Sequence, residues 1–249
     1  MQNSTTSGKK SENQRVSRNR DTMPRQKQPR PDFLGHYSRL LAFERKLWQS
    51  GTTFIAGVDE AGRGPLAGPV VAAAVIFPKD SRIPPVNDSK QLTEKERCGL
   101  RRRILDLPGI RYAVCEVQSD EIDKINILRA THLGMRNALL ELPETQIALV
   151  DGLKVPNLPV KCNFIVKGDT KSASIAAASI LAKVHRDGIM MMYAEKYPQY
   201  GFERHKGYGT EDHLNALKKH GPCPIHRKSF APVRDIINPP PSQGEFTLS

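Results

Sequence analysis

Two adjacent carboxylates, Asp59 and Glu60, are the residues of this chain whose type and position most directly suggest chemistry. They follow the apolar run Phe54-Ile55-Ala56, and Gly62-Arg63-Gly64 comes directly after them. Carboxylates at the end of an apolar strand suit a hard divalent cation. An arginine between glycines can approach a phosphate closely, because glycine removes side-chain bulk and permits positive φ. Metal-binding acids and an anion-binding base so close together predict phosphodiester chemistry.

Two further acids repeat the pattern of an apolar run that ends in a carboxylate near a glycine. Asp151 follows residues 147–150, and Asp169 follows residues 164–168. A single acid of this kind usually starts a turn or caps a helix. Three such positions, one of them doubled, favour instead a shared site for two Mg²⁺ or Mn²⁺ ions about 4 Å apart. The predicted ligands are Asp59, Glu60, Asp151 and Asp169.

Neighbouring residues of a regular strand face opposite sides. Asp59 and Glu60 are therefore expected to serve one site only if the strand ends or distorts there. The dipeptide Ala61-Gly62 offers such an exit.

Polar and basic residues elsewhere are candidates for contacts to a phosphate backbone. Ser89 and Lys90 follow Asn87-Asp88 in a polar segment that is equally typical of a turn with a helix cap. Ser179 and Lys183 are four residues apart and share one helix face, for which a solvated surface is the alternative. Tyr208 lies in a basic loop, where it can stack on a base or sugar or instead cap the core.

The elements that must position these residues alternate between strands and helices after an initial cluster of strands. That order predicts an α/β fold with a mixed sheet covered by helices. The predicted strands span residues 54–59, 70–77, 112–117, 147–151 and 163–166. The predicted helices span residues 36–49, 94–107, 127–142, 172–193 and 211–219.

The composition favours an anionic partner. The 249 residues carry a formal net charge of +12, for which nucleic acid is the usual partner. No apolar run approaches the roughly 20 residues of a membrane span, and no secretory signal is visible. The four cysteines form no C-x-x-C pair, so we expect reduced, mostly buried thiols. We therefore expect a cytoplasmic protein, a monomer, without membrane contact.

The ends of the chain differ from its body. Residues 1–30 hold eight Lys or Arg residues and two acids, a net charge of +6, and are too polar to form a core. We predict a disordered basic extension over residues 1–35, a catalytic domain over 36–237 and a flexible tail over 238–249. The extension is either a solvated tail or a basic arm that adds salt-sensitive affinity for nucleic acid.

Motifs for other cofactors are missing from the sequence. The glycines around Arg63 fail the G-x-G-x-x-G spacing, and no G-x-x-x-x-G-K-[ST] motif occurs. The seven histidines form no H-E-x-x-H or H-x-E motif. Dinucleotide, nucleotide-triphosphatase and zinc chemistry are therefore poor interpretations.

Taken together, these residues make the chain closely resemble ribonuclease HII, the type 2 ribonuclease H of bacteria, from about Phe54 to about Val233. The matching segments occur in the expected order. They are Val58-Asp59-Glu60-Ala61-Gly62-Arg63-Gly64-Pro65, Asn87-Asp88-Ser89-Lys90, Val150-Asp151-Gly152, Val166-Lys167-Gly168-Asp169, residues 174–184, His205-Lys206-Gly207-Tyr208 and His226-Arg227-Lys228-Ser229-Phe230.

The resemblance implies a ribonuclease H-like fold with a central mixed five-stranded sheet flanked by helices. It implies endonucleolytic cleavage of the RNA strand of RNA–DNA hybrids and incision at single ribonucleotides in duplex DNA, leaving 5′-phosphate and 3′-hydroxyl ends.

The resemblance also implies roles for particular residues. The four acids named above match the metal-site carboxylates. The loop that senses the ribose 2′-OH matches Gly62, Arg63 and Gly64, and the tyrosine that stacks on the following sugar matches Tyr208. The positions near bound phosphates match Ser89, Lys90, Ser179 and Lys183.

Two alternatives are distinguishable from the sequence. The related type 3 enzymes resemble a set whose last acid is Glu and carry a folded N-terminal domain, whereas this chain has Asp169 and a short polar extension. A non-catalytic nucleic-acid binder that kept the fold is expected to have lost at least one metal carboxylate, and all four are present. A catalytically active type 2 enzyme therefore fits the sequence better than either alternative.

Overall fold

The structure, a computed structural model, describes residues 38–79, 81–84, 86 and 92–239. A five-stranded sheet in the order β3-β2-β1-β4-β5 forms its centre. Strands β1 to β3 pair antiparallel, whereas β4 and β5 run parallel to β1. The mixed five-stranded sheet of the sequence prediction is thus confirmed. The strands are β1 (Ile55–Ala61), β2 (Val70–Ile76), β3 (Arg111–Val117), β4 (Ile147–Asp151) and β5 (Lys161–Ile165).

The helices lie on both faces of this sheet. They are α1 (Ala42–Gln49), α2 (Glu94–Leu105), α3 (Ser119–Ile125), α4 (Ile127–Leu140), α5 (Ala173–Lys196), α6 (Phe202–His205), α7 (Glu211–His220) and α8 (Ala231–Ile237), with single 3₁₀ turns at Gly168–Thr170 and Pro198–Tyr200. In the described residues, no helix is long and apolar enough to span a membrane.

Strand β2 shows how the sheet divides the core. All seven of its residues are buried, because both faces of the strand are covered. Val71, Ala73 and Val75 pack with α2 and α5 on one face. Ala72 and Ala74 pack with α4 on the other face. The site residues of the neighbouring strand β1 therefore have a helix layer on either side.

Helix α5 lies directly against the sheet because both partners have small residues at the contact. Ala176, Ala177 and Ala178 are completely buried. A Cβ built on Gly57 would lie 2.0 Å from the carbonyl carbon of Ser174, so only glycine allows this approach. The close contact brings the middle of α5 to the strand ends.

The start of α5 is held by a buried acid from α1. The Glu44 carboxylate accepts hydrogen bonds from the hydroxyl of Ser172 and from the backbone N–H and hydroxyl of Ser174. A negative charge at the first turn of a helix is favourable, because unpaired N–H groups point outward there. Helix α1 thereby anchors the helix that carries Ser179 and Lys183.

Most predicted elements agree with the structure to within a few residues, but several details were wrong. Strand β1 continues to Ala61 rather than ending at Asp59. The short helices α3, α6 and α8 were not predicted. All four cysteines are free. Cys98 is exposed and only Cys223 of the four is buried, so the prediction that most of the thiols are buried was wrong. The predicted extension 1–35 and residues 240–249 of the predicted tail 238–249 lie outside the described residues, so their character stays a prediction.

Candidate active site

Strand pairing brings the carboxylates of β1 and β4 together. The parallel ladder between these strands ends at Val58 and Val150, so Asp59 and Asp151 follow side by side. Beyond that point, within the part of the chain that the structure describes, β1 pairs with β2 alone, with Asp59 opposite Ala73 and Glu60 opposite Ala72. Where the pairing of β1 with β4 stops, the edge of β1 carries these two acids.

Strand β1 ends at the dipeptide Ala61-Gly62, as expected from the sequence, where Gly62 takes φ +92°. Asp59 and Glu60 directly precede this exit and sit on opposite faces of the strand. Both side chains nevertheless line one cavity beside Asp151. Glu60 also lines a second cavity on the α4 side. The unpaired edge of β1 lets the two carboxylates approach the same space from either face.

The shared cavity has a volume of about 410 Å³. It joins acids, a glycine loop, basic residues and a tyrosine. Its lining residues are Asp59, Glu60, Ala61, Gly62, Arg63, Gly64, Arg97, Asp151, Ser179, Lys183 and Tyr208. The adjoining cavity, of about 340 Å³, shares Glu60, Arg63 and Asp151 with it and extends the site along α4 past His132.

Crowded acids in a buried position are electrostatically strained. Burial raises the pKa of Asp59 well above its ordinary value, and repulsion from Glu60 and Asp151 acts in the same direction. A hydrogen bond from the Ser179 hydroxyl and one from the Glu60 N–H oppose this rise. Burial also raises the pKa of Glu60, against the attraction of Arg63 at 3.3 Å. A bound cation would relieve this repulsion.

Asp169 is placed differently from the other three acids. It is buried, in the 3₁₀ turn Gly168–Thr170 rather than at a strand end, and it does not line the shared cavity. The backbone N–H of Gly168 donates a 2.6 Å hydrogen bond to Asp151 Oδ1, so the turn bearing Asp169 contacts the site. Three of the predicted acids are brought together. The fourth, Asp169, follows Gly168, the residue that donates to Asp151.

The oxygen donors present fit a hard divalent cation. Within the described residues, no group of three or more His, Cys, Asp and Glu side chains is already arranged to hold one. Glu60 is paired with Arg63, Asp151 accepts from Gly168, and Asp59 accepts from the Glu60 N–H. Asp59, Glu60 and Asp151 are the residues that could hold an ion, once it replaces these partners.

The Gly62–Gly64 loop has a backbone that other residues could not adopt. Gly62 has φ +92°, and a Cβ on it would lie 2.1 Å from Arg186 Nε. Arg186 and Arg227, both fully buried, donate to backbone carbonyls around this loop. Arg227 holds the loop through the Gly62 and Arg63 carbonyls, Arg186 packs against Gly62, and the loop residues line the cavity.

Tyr208 stands next to this loop. Its side chain is 44% exposed and lines the cavity, and a Cβ on Gly64 would lie 3.7 Å from its ring. The Arg186 guanidinium carbon is 6.0 Å from the ring centroid. An exposed aromatic face beside a glycine loop is available for stacking on a ligand. The alternative of a tyrosine that caps the core is therefore not favoured.

The basic side chains that line the cavity include one, Arg97, that was not predicted from the sequence. Ser179 is buried and its hydroxyl hydrogen-bonds to Asp59, so the alternative of a solvated helix face was wrong for this residue. Lys183 donates to Asp187 at 2.7 Å. Arg97 of α2 lines the cavity and lies 4.0 Å from the same Asp187. Arg97 is one of four arginines in α2, and no local signal distinguishes it. Ser89 and Lys90 lie outside the described residues.

The fold and the site together define a class of protein. The chain has a mixed five-stranded sheet with acids at its strand ends, beside a glycine loop and basic residues. This arrangement defines a ribonuclease H-like nuclease. Among solved structures, ribonuclease H2 of Pyrococcus horikoshii OT3 matches with a TM-score of 0.60 at 29% identity, over 74% of this chain and 96% of that one. Ribonuclease HII of Archaeoglobus fulgidus, solved in a complex with PCNA, matches with a TM-score of 0.62 at 27% identity, over 73% and 96%.

Sequence comparison specifies the family. The family model for ribonuclease HII matches residues 56–233. A ribonuclease HII of Endomicrobium trichonymphae is 55% identical over 204 residues, which covers 81% of this chain and 97% of that protein. The chain belongs to the ribonuclease HII family. It is accordingly a ribonuclease H, an endonucleolytic hydrolase.

Proposed function

We propose that this protein cleaves the RNA strand of RNA–DNA hybrids and incises duplex DNA at single embedded ribonucleotides, leaving 5′-phosphate and 3′-hydroxyl ends. The observation that carries the proposal is the single cavity of about 410 Å³ in which acids and a glycine loop meet. Cutting and recognition groups lie within one opening there, so a bound backbone can contact both.

The acids and the loop take different parts in this function. We assign Asp59, Glu60 and Asp151 to the binding of two Mg²⁺ or Mn²⁺ ions, with Asp169 completing the set from the neighbouring turn. When bound, such ions generate a nucleophile from water at neutral pH and neutralise charge on the leaving oxygen. Ser179 orients Asp59 by hydrogen bonding. Lys183 and Arg97 attract the phosphate backbone to the same cavity.

Recognition of ribose falls to the Gly62–Gly64 loop and Tyr208. The 2′-OH is the group by which a protein distinguishes RNA from DNA. Backbone groups of the loop can approach it because Gly62 and Gly64 have no side chains. The exposed Tyr208 ring is assigned to the sugar that follows. Ser89 and Lys90 stay predicted phosphate contacts, and the cytoplasmic location, the monomeric state and the domain boundaries stay predictions.

Cleavage of a labelled duplex with one ribonucleotide, with Mg²⁺ or Mn²⁺, tests the proposal. Asp59→Asn and Asp151→Asn are expected to retain duplex binding and to lose cleavage. Removing a metal ligand forfeits several kcal/mol of transition-state stabilisation, about 1,000-fold in rate or more. Asp106→Asn, at an exposed end of α2, is the matched control and is expected to cleave normally. A fully active Asp59→Asn enzyme would contradict the assignment.

A further inference from the structure

The segment His226-Arg227-Lys228-Ser229-Phe230 lines neither cavity of the site, yet its hydrogen bonds lead to both elements assigned to ribose recognition. Arg227 is completely buried. Its Nη2 donates to the Gly62 carbonyl at 2.6 Å, its Nη1 to the Arg63 carbonyl at 3.0 Å and its Nε to the Gly68 carbonyl at 3.0 Å. One planar guanidinium group therefore fixes the carbonyls on both sides of the loop.

The segment is itself held in place. The Arg227 N–H donates to the Leu66 carbonyl at 2.8 Å. The Asp123 carboxylate of α3 accepts from the backbone N–H groups of Lys228 and Ser229 and from the Ser229 hydroxyl. The backbone that carries the Arg227 guanidinium group is therefore fixed to α3 independently of the loop.

A second set of hydrogen bonds leads from His226 to Tyr208. His213 Nδ1 lies 2.9 Å from the Tyr208 carbonyl, which can only accept, so Nδ1 carries the proton. His226 Nδ1 accepts from the Cys223 N–H at 2.9 Å, so its proton is on Nε2. The two Nε2 atoms are 3.0 Å apart, and His226 donates to His213. These assignments satisfy all three contacts with both rings neutral.

This set of bonds fixes the backbone of Tyr208 within a packed cluster. The rings of His213 and His205 stack with centroids 4.5 Å apart. The ring of Phe202 contacts that of His213 edge-on at 5.4 Å. The backbone carbonyl of Gly207, the residue before Tyr208, accepts from the Leu66 N–H at 2.8 Å. The Tyr208 carbonyl also accepts from the Thr210 N–H at 2.8 Å, so His213 is one of two donors that orient it.

We propose that His226 and Arg227 are positioning residues for ribonucleotide recognition, Arg227 by holding the Gly62–Gly64 loop and His226 by holding Tyr208 through His213. Two consecutive residues thereby set the distance between the two elements that read the sugar. This inference rests on the proposed function. It predicts that loosening the segment harms incision at a single ribonucleotide more than cleavage of a continuous hybrid. A single embedded ribonucleotide presents one 2′-OH, so the duplex must bind in one register. A continuous RNA strand presents a 2′-OH in every register.

Arg227→Lys tests the first contact, because lysine keeps the charge and loses the planar fork. Displacement of a recognition element by about 1 Å costs on the order of 100-fold in rate, so we expect kcat on the single-ribonucleotide duplex to fall by about 10- to 100-fold. KM is expected to change little, and the hybrid is expected to be cut with a smaller loss. Arg234→Lys makes the same exchange at an exposed position of α8 and serves as the control.

His213→Gln and His213→Asn test the second contact as a matched pair. The asparagine amide lies where Nδ1 lies and can still donate to Tyr208, whereas the glutamine amide reaches the position of Nε2 and cannot. We expect His213→Gln to show the larger fall in single-ribonucleotide cleavage relative to hybrid cleavage. His213→Asn, which keeps the bond to Tyr208 and loses the one from His226, is expected to show a smaller fall. Long-range ¹⁵N NMR of the wild-type protein is expected to show the proton of His213 on Nδ1 and that of His226 on Nε2.

The ratio of kcat/KM on the two duplexes separates positioning from folding, because a lower folded fraction reduces both values equally. Unchanged ratios in Arg227→Lys and His213→Gln, with an active wild type, would overturn the inference and leave the proposed function intact. A wild type that cuts neither duplex would overturn the proposed function. If Arg227→Lys does not fold, the two His213 variants and the NMR assignment test the inference instead. The opposite tautomers of His213 and His226 would refute the hydrogen-bonded connection from His226 to Tyr208.

Discussion

His226 is buried with a neutral imidazole, and we expect the protein to lose stability as the pH falls below the ordinary pKa of histidine. Burial lowers its pKa from 6.5 to about 4, and the neighbouring His213 and His205 act in the same direction. The Cys223 carbonyl, 3.3 Å from His226 Nδ1, opposes this shift because it can accept a hydrogen bond from the protonated ring. The ring of Tyr200 also faces it, with centroids 4.9 Å apart.

The sign and size of the effect follow from these values. The unfolded chain binds a proton at this residue near pH 6.5, whereas the folded protein binds it only near pH 4. The free energy of unfolding therefore falls as the pH decreases between these values and levels off below them. At about 1.4 kcal/mol per pH unit, the loss from His226 approaches about 3 kcal/mol. Burial also lowers the pKa of His213, which adds in the same direction.

Urea unfolding followed by circular dichroism, over about three pH units from about pH 7.5 to about pH 4.5, measures this loss. Wild type is compared with His226→Gln, which lacks the titrating ring, and carboxylate titrations are shared by both proteins. The variant is expected to be less stable at neutral pH, and the two curves are expected to converge in acid. His220→Gln, at the exposed end of α7, is the control. Curves that stay parallel over the whole range would refute the reasoning.

Three further results are expected. Tyr208→Ala should lower single-ribonucleotide incision by about tenfold, since base–aromatic stacking contributes about 1–3 kcal/mol, and an unchanged rate would exclude Tyr208 from the site. Glu44→Ala should reduce the free energy of unfolding by about 3 kcal/mol, because it removes charged acceptors from Ser172 and Ser174, and an unchanged urea midpoint would contradict this. Removal of residues 1–30 should lower the slope of log affinity against log salt, and an unchanged slope would mean that they contact no phosphates.

The alternation of strands and helices could be read from the sequence because each long element carries its own pattern. The apolar runs of β1, β2 and β4 are continuous, as expected for strands covered on both faces. The short helices α3 and α8 have seven residues each, too few to be stable alone. Their stability comes from tertiary burial of single side chains such as Ile122 and Val233.

The site was predictable in part. Asp59, Glu60, Arg63 and Tyr208 were found because each is adjacent to glycines or to the end of an apolar run. Arg97 was missed because its role depends on where α2 lies against α5. The other three arginines of α2 carry the same charge, and nothing in the sequence distinguishes Arg97 from them.

By itself, the sequence determined which residue types meet at strand ends and that their partner is anionic, because local patterns and charge are properties of neighbouring residues. Only the tertiary structure decided how two carboxylates on opposite faces of β1 share one cavity, since that depends on β4 ending its pairing at Val58. It also decided that Arg227 is buried. An arginine in a sequence reads as a surface cation, and the carbonyls that satisfy it come from a segment about 160 residues away in the chain.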